Sequence, residues 1–296
     1  MAVGETHSGS LTSALPSIIA SARIIREYDG VWNRVCEPQK RQNGTGLSWS
    51  EFALNALEAG TTTETQTNNN PQLMSGALLT GTPSMAQIMI KVTDRAKAVL
   101  SPNVVAQMGQ LTGNAMKRKK DEDYLGLYST FATTASPGSG NPLSFGHITA
   151  AVANAMGNVT EGADGEIYFI GHQFQFKDVQ DEILSGVGTY TIPVGMTEAV
   201  FKQGYMGGSI AGANCFMDNN ITIDSTPNCN GAVHAKKGVL SIQGMAMKSE
   251  MRRDPSFGGG ADEAFITDEY AFIERTSGTT QVFCYLMKSD ATAPTS

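Results

Sequence analysis

The chain is expected to fold as an α+β protein, and three features of the sequence predict this. Residues 85–92 and 263–275 are rich in branched and apolar side chains and read as strands, whereas Val104, Val105, Met108, Leu111, Ala115 and Met116 recur at helical spacing. Beyond the turn-forming SPGSGNP of residues 136–142, short helices and buried strands alternate. A length of 296 residues corresponds to two domains at ~150 residues each, or to one with a large insertion, and is enough to bury a substantial core.

Residues 1–30 mix small, polar and apolar types, with a short helix expected over 17–28. They read as an arm that orders against another surface, with Ile18 and Ile19 as its contact candidates. Residues 44–82 turn to Thr, Asn, Gln, Gly and Leu around a polar centre, TTTETQTNNNP at 61–71. On composition that centre is either a disordered polar linker or the tip of a long hairpin-like excursion. Its flanks favour the hairpin: Phe52, Leu54 and Leu57 lead in, and Leu73, Met74, Leu78 and Leu79 lead out. An isolated two-stranded hairpin is marginal in water, so these side chains need a neighbour's surface.

The strand at 85–92 follows. Ser101 then supplies an N-cap and Pro102 a first helical residue for a long helix expected to reach about Phe131. Within it, Lys117, Arg118, Lys119, Lys120, Asp121, Glu122 and Asp123 set up three pairs four residues apart: Lys117 with Asp121, Arg118 with Glu122 and Lys119 with Asp123. The basic residue comes first, which is the weaker orientation. The segment is either a solvated helix face or a contact to a neighbouring subunit or to nucleic acid. Residues 136–142 are the best candidate for a domain boundary. After them Ile148, Val152, Ala155 and Met156 mark a second helix, EIYFIG at 166–171 a buried strand and residues 176–184 a third helix. A strand at 231–243, the extended 263–275, a turn at Ser277-Gly278 and a final strand at 281–287 complete the chain.

Composition excludes several functions. Lys plus Arg number 21 against 28 Asp plus Glu, a balance of 21 − 28 = −7, which argues against a general phosphate-binding surface. Charged residues make up 17%, below the usual ~25%, and the 32 glycines are about 11% against a usual ~7%. An exterior of uncharged polar residues tolerates being covered by other protein, because interface centres exclude charge. No run of ~18 apolar residues could form a transmembrane helix. LTSALPSIIASA at 11–22 looks like a signal peptide only superficially, since Glu5 and no basic residue precedes it and Pro16 interrupts it. The scattered Cys36, Cys215, Cys229 and Cys284 read as reduced, mostly buried thiols of a chain made in a cytoplasm.

No metal or cofactor site is expected. His7, His147, His172 and His234 lie far apart, no phosphate loop occurs, and Gly186-Val187-Gly188 lacks the third glycine of a dinucleotide site. Ser209 within Gly207–Ala211, followed by Asp224 and His234, has the chain order of an α/β-hydrolase triad. However, residues 202–206 are not the apolar strand that must deliver the serine, and 209–234 leaves no room for the intervening elements.

The order of segments (arm, polar hairpin, strand, long helix after Ser-Pro, small α+β domain, returning strands) resembles the major capsid protein of tailed double-stranded-DNA bacteriophages, the family with the Hong Kong 97 capsid fold. ALEAG at 56–60 resembles the family's apolar-Glu-Gly step into an extended loop, residues 85–111 the strand feeding the spine helix, and 117–131 that helix's far half. GEIYFIGHQFQFKDVQDEI at 165–183 is similar to the axial-domain strand and helix, and 204–233 with HAKKG at 234–238 to a glycine-rich turn and the strand after it. Residues 251–275 resemble the peripheral-domain strands, with Tyr270-Ala271 where a Tyr-Gly pair is common.

The resemblance implies a subunit divided into an N-terminal arm leading into the peripheral domain (1–43), an extended β-hairpin loop (44–83), a peripheral domain with a long spine helix (84–140), an axial domain (141–248), peripheral return strands (249–278) and a C-terminal axial strand (279–296). It implies a non-enzymatic protein that assembles with itself as pentamers and hexamers into an icosahedral shell, formed in the bacterial host cytoplasm and carried in the virion. The other implied partners are a portal, a decoration protein, a separate scaffolding protein, since no long charged prefix precedes the arm, and double-stranded DNA held by weak nonspecific contact. No membrane is involved. Gly113, Gly126 and residues 136–142 are expected sites of bending. The alternatives are an encapsulin-type nanocompartment shell, a secreted surface protein cleaved after Ala22, and a serine hydrolase.

Overall fold

The computed structural model describes residues 30–42, 44, 46–55, 57, 59–65, 71–99, 102–158, 161–186, 208–256, 258–276 and 282–294. Ile18, Ile19, the helix expected over 17–28 and the turn at Ser277-Gly278 lie outside them, as does 66–70 of the polar centre.

The chain opens with α1 (Trp32–Val35) and β1 (Glu37–Lys40). Strands β2 (Trp49–Leu54) and β3 (Gly76–Gly81) pair antiparallel and, among the described residues, only with each other, Trp49 opposite Gly81 and Leu54 opposite Gly76. Then come β4 (Ser84–Thr93), α2 (Asp94–Val99) and α3 (Pro102–Gly126), which tightens into a 3₁₀ turn over Leu127–Thr130. The long helix therefore stops short of Phe131 as an α-helix, and α2 is an element the sequence reading did not anticipate. It is capped by Thr93, whose Oγ1 accepts from the Ala96 amide at 3.2 Å. The second half holds α4 (Phe145–Met156), β5 (Ile167–Gly171), α5 (Gln173–Gly186), β6 (Ser209–Ile210), β7 (Ala213–Met217), β8 (Asn228–Ala235), β9 (Val239–Gln243), β10 (Lys248–Asp254), β11 (Ala261–Glu274) and β12 (Cys284–Asp290).

Strand β11 organises the first sheet. One edge pairs antiparallel with β4 over ten positions, from Ala261 opposite Thr93 to Tyr270 opposite Ser84. The other edge takes β10 and then β9, and β1 joins β9 in parallel. The second sheet has the order β12-β8-β5-β7-β6. Residues 231–243, expected as one strand, are divided between the two sheets by a 3₁₀ turn at Lys236–Gly238. Both halves carry buried apolar residues, so the pattern runs on through the break. There the backbone turns as the Lys236 amide donates to the Glu166 carbonyl at 2.9 Å.

The principal core surrounds the second sheet. All five residues of β5 are buried, because the strand has partners on both edges and cover on both faces. Helix α4 lies on β8 and β12 and buries Ile148, Ala151, Val152 and Ala155. Met156, expected with them, is exposed at the helix end, where it sits at the margin of that stripe. Ser144 caps α4 in a reciprocal box with His147. On the other face of the sheet the end of α3 delivers Tyr124, followed by Tyr128 and Phe131, around the buried His234. The Tyr124 hydroxyl lies 2.6 Å from His234 Nε2. Burial pushes the His234 pKa down to about 4, so this imidazole is neutral and belongs to the packing.

Candidate functional site

The β2–β3 hairpin presents two unlike faces. Because side chains alternate along each strand, Trp49, Glu51, Ala53, Ala77 and Leu79 are half-buried while Phe52, Leu54 and Leu78 stand out on the other side. Phe52 is 59% exposed, Leu54 60% and Leu78 64%, with Phe52 directly opposite Leu78 in the register. Beyond the paired strands Leu57, Leu73 and Met74 are also exposed. Of the sequence candidates described, all but Leu79 therefore stand exposed; Leu79 lies across from Glu51 on the sheltered face. Among the described residues no third strand joins this hairpin, so its apolar face is left open to solvent in the single chain.

The root of the hairpin is tied to the body by Arg41, whose Nη1 donates to the Leu47 carbonyl at 3.1 Å, and by Arg275. Arg275 donates to Glu51 Oε2 through Nε and Nη2 at 3.1 and 3.0 Å, and through Nη1 to Glu37 Oε2 and the Lys237 carbonyl, both at 2.8 Å. It thus joins β1, β2, the end of β11 and the 236–238 turn. Arg275→Ala would leave two carboxylates facing each other at this part-buried site. The variant is expected to lose about 2 kcal/mol of stability and to be cleaved faster between residues 44 and 83 in limited proteolysis read by mass spectrometry.

The charged stretch of α3 divides between surface and interior. Lys117, Arg118, Lys119, Glu122 and Asp123 are exposed, and two expected pairs form: Arg118 with Glu122 at 3.5 Å and Lys119 with Asp123 at 2.5 Å. Lys120 turns inward, its Nζ 2.6 Å from Asp268 Oδ2 and over the rings of Trp32 and Tyr270. The expected partner of Lys117, Asp121, is fully buried and accepts instead from Asn220 Nδ2 at 2.8 Å. A helix in contact with a sheet cannot solvate its whole circumference, and spacing alone did not reveal which residues faced the sheet.

The hydrolase constellation does not assemble. His234 is committed to Tyr124 and to its neighbouring backbone, with Nδ1 3.0 Å from the Ala235 carbonyl, and Asp224 accepts from Thr226 and Asn228 in a local turn. All four cysteines are free and buried, with thiols pushed upward by burial. Among the described residues no group of three or more metal-ligating side chains occurs, and no helix is long and apolar enough to cross a membrane.

No protein-family model matches the chain, and no curated protein does. Solved structures do. The chain is similar to the capsid subunit of the cyanophage P-SCSP1u, with a TM-score of 0.69 at 11% identity over 92% of both chains. It is similar to the capsid of Ralstonia phage GP4, with a TM-score of 0.68 at 9% identity over 94% of this chain and 95% of that one. The capsid of cyanophage Pam1 gives a TM-score of 0.68 at 11% identity over 99% and 100%. From its described strands and helices to its overall extent, this chain has the α+β fold of phage capsid subunits.

Proposed function

We propose that the chain is the major capsid protein of a tailed double-stranded-DNA bacteriophage, assembling with itself into an icosahedral shell in the host cytoplasm and remaining in the virion. One observation carries this reading: a fold shared along nearly the whole chain with phage capsid subunits, in which the unpartnered hairpin offers Phe52, Leu54 and Leu78 to another molecule. In this reading 44–83 is the extended loop, α3 the spine helix, the first sheet the peripheral domain and the second sheet the axial domain, with the chain crossing from the second to the first at the 236–238 turn between β8 and β9. The arm within residues 1–30 and the hairpin reach across adjacent subunits, while α1 and β1 after the arm belong to the subunit's own body. Contacts of this heterologous kind close into rings of five and six, and several modest contacts per subunit reinforce one another.

The net charge of −7 keeps attraction to packaged DNA weak, and Lys117, Arg118 and Lys119 are the residues of α3 that would meet it if that face lines the interior. A scaffolding protein, a portal and a decoration protein complete the expected partners. Full-length chain expressed with and without a cognate scaffolding protein is expected to give closed shells in sedimentation and negative-stain imaging. A compact monomer under every ionic condition would contradict the proposal.

Bending of the spine helix is testable separately. An added Cβ at Gly113 or Gly126 meets nothing within 4 Å. Gly113→Ala is therefore expected to raise the stability of the unassembled subunit by about 0.5–1 kcal/mol, read as a higher Tm. Gly113→Ala and Gly126→Ala shells that assemble but fail to expand would place the bend there, and normal expansion would remove it.

A further inference from the structure

Two buried carboxyls meet where three parts of the chain converge. Asp121 comes from α3, Asp218 from the residue after β7, and the backbone enters past both at Gly30 and Val31. Both side chains are fully buried. Asp218 Oδ2 accepts from the Val31 amide at 3.3 Å and Oδ1 from the Asn220 amide at 2.9 Å, while Asn220 Nδ2 donates to Asp121 Oδ2 at 2.8 Å. Gly30 is pressed so closely on the pair that a Cβ there would lie 2.1 Å from Asp121 Cγ and Oδ1. The remaining oxygen, Asp121 Oδ1, is buried and receives no hydrogen bond from any described amide, hydroxyl or basic side chain. An orphaned acceptor in such a place costs about 1–3 kcal/mol, so a donor is called for.

We infer that Asp121 and Asp218 form a proton-sharing latch: a proton carried by Asp218 fills the vacant Asp121 Oδ1 position and ties the long helix to the loop after β7 and to the incoming chain, and base opens it. The surroundings suit this role. Burial, followed by the neighbouring Asp121, pushes the Asp218 pKa up to about 8. The other titratable groups facing the pair are Cys36 beside α1 and Tyr124 and Tyr128 from α3 and its 3₁₀ turn, all pushed upward by burial and so neutral across this range. Lys120, next along α3, spends its charge on Asp268, Glu122 faces solvent at the same end of the helix, and His234 is held neutral against Tyr124. Among the described residues no cation is left to compensate a second negative charge.

The sign follows from proton linkage. Asp218 binds its proton more tightly folded than unfolded, so the latch contributes fully below the unfolded value near 4 and loses its contribution as pH rises to about 8, above which the loss is complete. Asp218→Asn keeps a donor for Asp121 Oδ1 at every pH while giving up one of the two amide bonds that Asp218 accepts, so it is the pH slope and not the absolute stability that is compared. Thermal and denaturant unfolding of the unassembled full-length chain, wild type beside Asp218→Asn, is expected to show the wild-type folding constant falling relative to the variant by up to tenfold per pH unit inside that window and levelling off above it. The same comparison in chelator and in added calcium is expected to coincide. Parallel profiles would overturn the latch, and a pH effect abolished by calcium would replace the proton with a cation. If Asp218→Asn does not fold, infrared difference spectra of the wild-type chain between about pH 6 and about pH 10 decide the matter, since ordinary carboxyls are already ionised at the lower value. Loss of a protonated-carboxyl band on raising the pH supports the latch, and absence of such a band at the start overturns it. Because no step requires a shell, this outcome is independent of the capsid reading.

Discussion

A chain carrying both Phe52→Asp and Leu78→Asp is expected to fold normally and to remain unassembled at concentrations where the wild type forms shells. The two residues are direct cross-strand neighbours, each well over half exposed, so folding of the subunit does not depend on burying them. Assembly does. Burying a Phe or Leu side chain on a partner is worth about 1.5–3 kcal/mol each, and a carboxylate in the same position resists desolvation by several kcal/mol more. Together the changes remove about 5 kcal/mol or more from every contact the hairpin makes, a factor of roughly 10³–10⁴ in each association constant. Multiplied over the several contacts of each subunit, this abolishes closure. Sedimentation should show only slow species, while the circular dichroism spectrum is unchanged and the subunit loses no more than about 1–2 kcal/mol of stability, the cost of two carboxylates facing each other across the strands. Shells of normal yield would remove the hairpin face from the assembly argument, and a collapsed Tm would show that the face serves the subunit instead.

What could be read in advance follows a physical division. Long elements with one consistent periodicity were legible: β4, β11 and α3 from Pro102 onward. Elements shorter than the window that reveals them were not. Helix α2 has six residues, and its signal was the Thr93 cap followed by Asp94 in the first turn, standing between a strand and a stronger helix start. The hairpin was visible in its alternating flanks, but the face left bare depends on how its root is fastened. Among the ties at that root is Arg275, which lies 224 positions along the chain from Glu51. Asp121 shows the limit for the charged segment: spacing pairs it with Lys117, whereas tertiary packing drives it inward to Asn220 and Asp218. Gln175 shows a second limit: the third helix is expected over 176–184, whereas α5 begins at Gln173, so the residue that fastens its first turn lies outside the expected element.

Gln175→Leu, at nearly constant volume, is expected to cost about 4 kcal/mol of stability, more than most apolar truncations of similar size. The side chain is completely buried at the start of α5. Its Oε1 accepts from the His172 amide at 3.1 Å, and its Nε2 donates to the Met287 carbonyl at 2.9 Å, the Ser289 hydroxyl at 2.6 Å and, more distantly, the Cys229 carbonyl. One amide therefore caps the helix and stitches α5 to β12 and β8, and Gly231 is glycine where a Cβ would lie 2.7 Å from Gln175 Oε1. Leucine would leave an amide N–H and at least one carbonyl buried without partners, each costing about 1–3 kcal/mol. Gln175→Glu sharpens the test. It keeps an acceptor for His172 but sets a carboxylate against the two carbonyls, so it should be the worse variant near neutral pH and should recover as the carboxyl is protonated in acid. The signal was present in the sequence as His172 followed three residues later by Gln175, with His172 Nδ1 accepting from the Phe174 amide at 3.2 Å, an N-terminal box written with histidine in place of serine or threonine. Denaturant midpoints for both variants measure the effect. A loss below about 1 kcal/mol for leucine would mean that water reaches these groups and that the junction of α5 with the second sheet is looser than its hydrogen bonds imply.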